Sequence, residues 1–165
     1  MGRKPSLFID IDGVLSLWGF AQADPPPGAW TLVDGIAHFL SAEAAETLRG
    51  VQSDFACVWA SGWEEKANEY LPHALGLGPW PYLELDRRTR PGTSVAAHWK
   101  LGAVEAHAAG GALAWIDDDV DDGVRAWVAA RNVPTLLIQP DPARGLTAGD
   151  GERLRRFAAE AAAAA

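Results

Sequence analysis

The chain has 165 residues, about one domain's worth, and is long enough to bury a core. Hydrophobic residues make up 48% and charged residues 22%, an ordinary globular balance, and no apolar run approaches membrane-spanning length. The net charge of −8 argues against a generic nucleic-acid surface, which concentrates Lys and Arg, and the single cysteine, Cys57, excludes an intrachain disulfide and reads as a core residue.

Arg3 and Lys4 precede a short apolar run that Asp10 interrupts, a pattern unlike a secretory leader, so the expected location is cytoplasmic. Residues 6 to 11 read as a buried strand that ends on two carboxylates, Asp10 and Asp12, with Gly13 behind them. Residues 16 to 30, with three consecutive prolines, read as a loop. In WTLVDGIAHFL the pair Asp34-Gly35 stands between apolar runs and predicts a hairpin, because both residues tolerate positive φ. A helix is expected over Ala42 to Arg49, then a buried strand over 55 to 61.

From Trp63 onward the apolar residues Trp63, Ala67, Tyr70, Leu71, Ala74 and Leu75 recur at helical spacing until GLGPWP ends the run. Thr93 to Ala109 reads as a helix with Val95, Trp99, Ala103 and Ala106 on its inner stripe. Residues 112 to 116 and 135 to 139 are strand-like, and Val120, Val124, Trp127 and Val128 mark a helix between them. Thr147 caps a last helix that runs into terminal alanines, which are expected to fray.

Strands alternating with helices predict an α/β fold of one domain spanning 1–165, a doubly wound parallel sheet with a small hairpin flap. Ligands of such sheets sit beyond the carboxyl ends of the strands. Asp10 and Asp12 follow the first strand, Ser61-Gly62 the second and Asp117-Asp118-Asp119 the third, while Lys100 lies early in the helix before the third. Clustered carboxylates repel one another, and burying them is costly unless a cation or hydrogen bonds compensate. Asp119, Asp121 and Asp122 suit the N-terminus of the next helix, where negative charge is stabilised. The run DDDVDDG fails the EF-hand template, with its glycine one place late and Val128 where Glu is required. His38, His73, His98 and His107 fall in separate segments and are assigned to surface or core. The tryptophans at 59, 63, 99, 115 and 127 are assigned to packing.

The run DIDGVL, followed in order by Ser61-Gly62, Lys100 and Asp117-Asp118, resembles the four motifs of the haloacid dehalogenase-like (HAD) superfamily over residues 7 to about 140. WASGW around Ser61 also looks like a group of short HAD-like domains related to those of RNA-repair proteins. The resemblance implies a Rossmann-like core and a Mg²⁺-dependent phosphatase. In it Asp10 is the nucleophile and Asp12 the acid-base residue. Ser61, Gly62 and Lys100 bind the substrate phosphate, and Asp10, Asp12, Asp117 and Asp118 form the metal set. A carboxylate needs no general base to attack phosphorus, and Mg²⁺, a hard ion, suits oxygen ligands. Both gaps between motifs are too short for a separate cap domain. This predicts an open site for a phosphorylated substrate, either a small molecule or a nucleic-acid end, with Arg87, Arg88 and Arg90 as supplementary anion contacts. A HAD-like binding or regulatory domain with little turnover is the alternative, and a phosphatase assay with and without magnesium separates the two.

Overall fold

A computed structural model describes residues 3–85 and 99–164. At its centre is β1 (Ser6–Ile9), whose Leu7, Phe8 and Ile9 are fully buried. Each such side chain contributes about 1.5–3 kcal/mol only if its own face is covered, so an uninterrupted apolar strand needs cover on both sides. It pairs in parallel with β5 (Ala56–Trp59) on one side and β6 (Leu113–Ile116) on the other, and β7 (Thr135–Ile138) extends the sheet beyond β6. Alternate residues then divide between two cores. Leu7, Ile9 and Trp59 pack with α1 (Ala42–Val51), α2 (Lys66–Leu75) and α5 (Ala148–Ala163). Phe8, Val58 and Trp115 pack with α3 (Leu101–Ala108) and α4 (Asp122–Ala130). The architecture is thus α/β, a four-stranded parallel sheet flanked by helices. No helix among the described residues is long and apolar enough to cross a membrane.

A second, antiparallel sheet is made by β2 (Ser16–Leu17), β4 (Ile36–Ser41) and β3 (Gly28–Val33) in that order. The turn between β3 and β4 is Asp34-Gly35, with φ of 51° and 80°, the left-handed pair a two-residue hairpin requires. Its tip is tied to α2: Lys66 Nζ and Tyr70 Oη both donate to the Asp34 carboxylate, the latter at 2.8 Å. The loop expected over 16 to 30 is therefore shorter than its prolines suggest, because Ser16–Leu17 pairs with β4 and Gly28 already belongs to β3.

β6 ends at Ile116 as expected, and the other three parallel strands stop one or two residues short of the expected ends. The next backbone groups still bond across: Asp10 N–H donates to Ile116 O, Ala60 N–H to Ile9 O and Asp117 N–H to Ile138 O. Trp63 precedes α2 in a turn rather than opening the helix, and Ala74 is exposed while Ala67 and Leu71 carry the buried stripe. In α3 Val104 and Ala108 are buried and the expected Trp99 and Ala103 pack against the same core, whereas Ala106 is exposed. The helix starts after a turn at Trp99 and Lys100. Thr93 and Val95 lie outside the described residues. Asp121 caps α4 by accepting from Val124 N–H at 2.9 Å, with Asp122 in the first turn. Thr147 and Asp150 form a reciprocal capping box at the start of α5. Ala161 is buried and helical, so the terminal alanines are docked further than expected.

Candidate active site

The carboxyl ends of β1, β5 and β6 open into one cleft of about 710 Å³, lined by Asp10, Asp12, Ser61, Gly62, Lys100, Asp117 and Asp118, together with Trp18, Trp99, Asp119 and Pro142. Its volume lies in the range of about 300–1,000 Å³ common for small-molecule sites. All seven residues singled out from the sequence therefore meet in one place. Arg87, Arg88, Arg90 and His98 lie outside the described residues.

Lys100 is buried between two carboxylates, its Nζ 2.9 Å from Asp10 Oδ1 and 2.7 Å from Asp117 Oδ2. Burial alone would push its ammonium down, but Asp10 and Asp117 overcome that and hold it above the ordinary lysine value. Asp117 is fixed further by the N–H of Asp119, which donates to its Oδ1 at 3.0 Å. One oxygen each of Asp10, Asp117 and Asp118 lies within 4.8 Å of the others. Desolvation drives the Asp10 carboxyl well above its usual range, with Asp117 adding to the effect and Lys100 opposing it. Burial and the neighbouring Asp117 also raise Asp118.

Among the described residues three carboxylates converge on one ammonium, and Asp10 and Asp117 are buried with it. The donors are all oxygen, which fits a hard divalent cation such as Mg²⁺. Gly13 makes room for this grouping. Its φ is +78°, and a Cβ there would stand 2.2 Å from Asp118 Oδ2.

Asp12 behaves differently. Although it lines the same cleft, its carboxylate is more than half exposed and is not among the three that converge. The strand has ended at Ile9, so strict alternation no longer directs its side chain. The Trp63 indole N–H donates to Asp12 Oδ2 at 3.1 Å, and His38 Nδ1 stands 3.7 Å from Asp12 Oδ1.

No known family model and no curated protein matches this chain.

The site also draws on residues to which the sequence reading gives no part in it. Trp18 is 58% exposed at the cleft, and its backbone N–H is anchored on Pro142 O at 3.0 Å. Trp63, expected only to pack, also bonds Asp12 through its indole and Ser61 Oγ through its backbone N–H, at 3.3 Å. His38, expected at the surface or in the core, sits on β4 with Nδ1 2.8 Å from Ser16 Oγ. The position of Trp63 two residues after Ser61 was a usable signal, whereas nothing local in the sequence marks His38. Cys57 is buried away from the cleft, and burial pushes its thiol up to about 12, in keeping with a packing role.

Proposed function

We propose that the chain is a single HAD-like domain, a Mg²⁺-dependent phosphomonoester phosphatase working through an aspartyl-phosphate. The observation that carries this reading is the convergence of Asp10, Asp117 and Asp118 on buried Lys100, with Ser61-Gly62 in the same cleft. The strand order β5-β1-β6-β7, with helices against both faces, supports a doubly wound, Rossmann-like core in which such a cleft is the usual ligand site.

In the proposed reaction an Asp10 oxygen attacks phosphorus. The Asp10 O–P bond forms as the bond to the leaving oxygen breaks, and the Asp12 carboxyl gives that oxygen its proton. Asp12, now a carboxylate, takes a proton from water, and the resulting hydroxide attacks the phosphorus of the aspartyl-phosphate. The Asp10 O–P bond breaks, inorganic phosphate leaves, and Asp12 is again protonated. Lys100 and the Ser61 hydroxyl, with the backbone at Gly62, hold the phosphoryl oxygens. Asp10, Asp117 and Asp118 would hold the Mg²⁺, which would supply positive charge to keep Asp10 ionised and offset the negative charge of the substrate phosphate.

The cleft bears a hairpin at its side and no separate cap domain among the described residues. Trp18 and Pro142 give it an apolar margin. Both features suit a phosphorylated substrate that extends into solvent. The deciding experiment is hydrolysis of p-nitrophenyl phosphate with Mg²⁺ and with EDTA, for wild type and Asp10→Asn. Turnover that needs Mg²⁺ and vanishes in the variant is expected. Wild-type turnover in Asp10→Asn would refute the nucleophile assignment, and phosphate binding without turnover in the wild type would make this a binding domain. Comparing kcat/KM for end-phosphorylated oligonucleotides and for sugar and nucleoside monophosphates then ranks the substrate classes.

A further inference from the structure

Asp12 presents a carboxylate that is 55% exposed. Water alone would solvate such a group, and its side chain would be free to turn among staggered rotamers. Instead its two oxygens are flanked by rings from separate parts of the chain. Trp63, in the turn after β5, donates its indole N–H to Oδ2 at 3.1 Å. His38, on β4 of the hairpin, places Nδ1 3.7 Å from Oδ1, beyond hydrogen-bond length but close enough to bar the carboxylate from swinging that way.

Neither ring is itself loose. The His38 ring meets the Ser16 hydroxyl at 2.8 Å and stands edge-on to the Trp63 indole, with centroids 4.7 Å apart and planes at 67°. Trp63 is buried, and its backbone N–H is bonded to Ser61 Oγ. A continuous chain of contacts thus runs from the hairpin through His38 and Trp63 to Asp12, and from Trp63 back to Ser61. A hydrogen bond to an exposed carboxylate adds little stability, because water is the competing partner. What these contacts do supply is a fixed direction.

We infer that Trp63 and His38 are positioning residues that hold the Asp12 carboxyl in line with the departing oxygen, which makes the hairpin part of the mounting of the general acid. The inference rests on the phosphatase reading and extends it to two residues that take no part in the chemistry. It predicts a dependence on the leaving group. An alkoxide leaves poorly without a proton, whereas p-nitrophenolate is stable enough to leave with little help. A misaimed Asp12 therefore penalises alkyl esters selectively.

The test is kcat/KM for glycerol phosphate and for p-nitrophenyl phosphate with Mg²⁺, a parameter governed by the steps through loss of the leaving oxygen. Trp63→Phe keeps a ring but removes the donor. It is expected to lower the alkyl-to-aryl ratio by about tenfold to a hundredfold, less than the hundredfold to ten-thousandfold that loss of general acid catalysis itself costs, because Asp12 is misaimed and not removed. His38→Asn should shift the ratio in the same direction by less, and Asp12→Asn sets the limit. If Trp63→Phe does not fold by circular dichroism, His38→Asn still reads the same ratio. Equal losses on both esters, which simple damage to packing produces, would overturn the inference and leave the phosphatase reading standing. A wild type that hydrolyses neither ester would overturn both.

Discussion

Replacing Lys100 by methionine isolates the electrostatics of the cleft. The ammonium lies 2.9 Å from Asp10 and 2.7 Å from Asp117, and none of the three side chains is more than 7% exposed. Methionine keeps much of the apolar stem but takes away the ammonium that both carboxylates face, in a place where desolvation already resists the ionisation of Asp10. Removing one partner of a buried ion pair costs about 3–5 kcal/mol, because the remaining charge is stranded. At about 2–4 °C per kcal/mol for a chain of this size, the Tm should fall by about 6–20 °C. The measurement is a thermal melt by circular dichroism in EDTA. Asp10→Asn in the same background should recover part of the loss, since it removes one of the stranded charges; coupling between such neighbours is about 0.5–3 kcal/mol. A Lys100→Met protein melting within about 2 °C of wild type, less than a 1 kcal/mol change would give, would refute this account. Failure of Asp10→Asn to recover any stability would do the same.

Gly13→Ala should damage function more than stability. The left-handed backbone costs an alanine about 1–2 kcal/mol, while its Cβ would drive the Asp118 carboxylate aside and cost about a hundredfold in turnover, as an ångström of misplacement commonly does. Mg²⁺-supported turnover equal to wild type would rule this out. At the hairpin tip, the hydrogen bond from Lys66 and then that from Tyr70 hold the Asp34 carboxyl below its ordinary value. The contribution of this contact is complete above the ordinary Asp pKa of about 3.9 and is lost as pH falls through the depressed value. Carboxyl carbon NMR should give Asp34 a midpoint below that of an unperturbed aspartate, and Lys66→Ala should move it up; an unmoved midpoint would remove the contact from solution.

Local pattern was enough to find the four parallel strands, the hairpin turn and the acidic strand ends, because each depends on residues a few places apart, but not the short β2, which is a strand only through its pairing with β4. Leu7, Phe8 and Ile9 form an unbroken apolar run because both faces of β1 are covered. Asp34-Gly35 reads as a turn because few other pairs accept two positive φ values. What local pattern missed depends on distant neighbours. His38 acquires its place only because β4 pairs with Ser16–Leu17, which brings it against Trp63 from another segment. In α3 the spacing places Trp99 and Ala103 against the core but not Ala106, because the helix begins only after the turn at Trp99 and Lys100 and buries Val104 and Ala108 most deeply. The convergence of Asp10, Asp117 and Asp118 is likewise a property of which strands lie side by side, and spacing along the chain could only suggest it.

The pairing of β1 with β6 also bears on the order of folding. Ser6 can find Ala56 once the first third of the chain is available, but it meets Leu113 only after a much longer loop has closed, which is entropically slower. Until that closure Asp10 has neither Asp117 nor Asp118 beside it. The charge cluster is thus completed late, when the central sheet is nearly whole. A cation that neutralises the cluster is therefore expected to slow unfolding more than it speeds folding, and stopped-flow rates with and without Mg²⁺ check this.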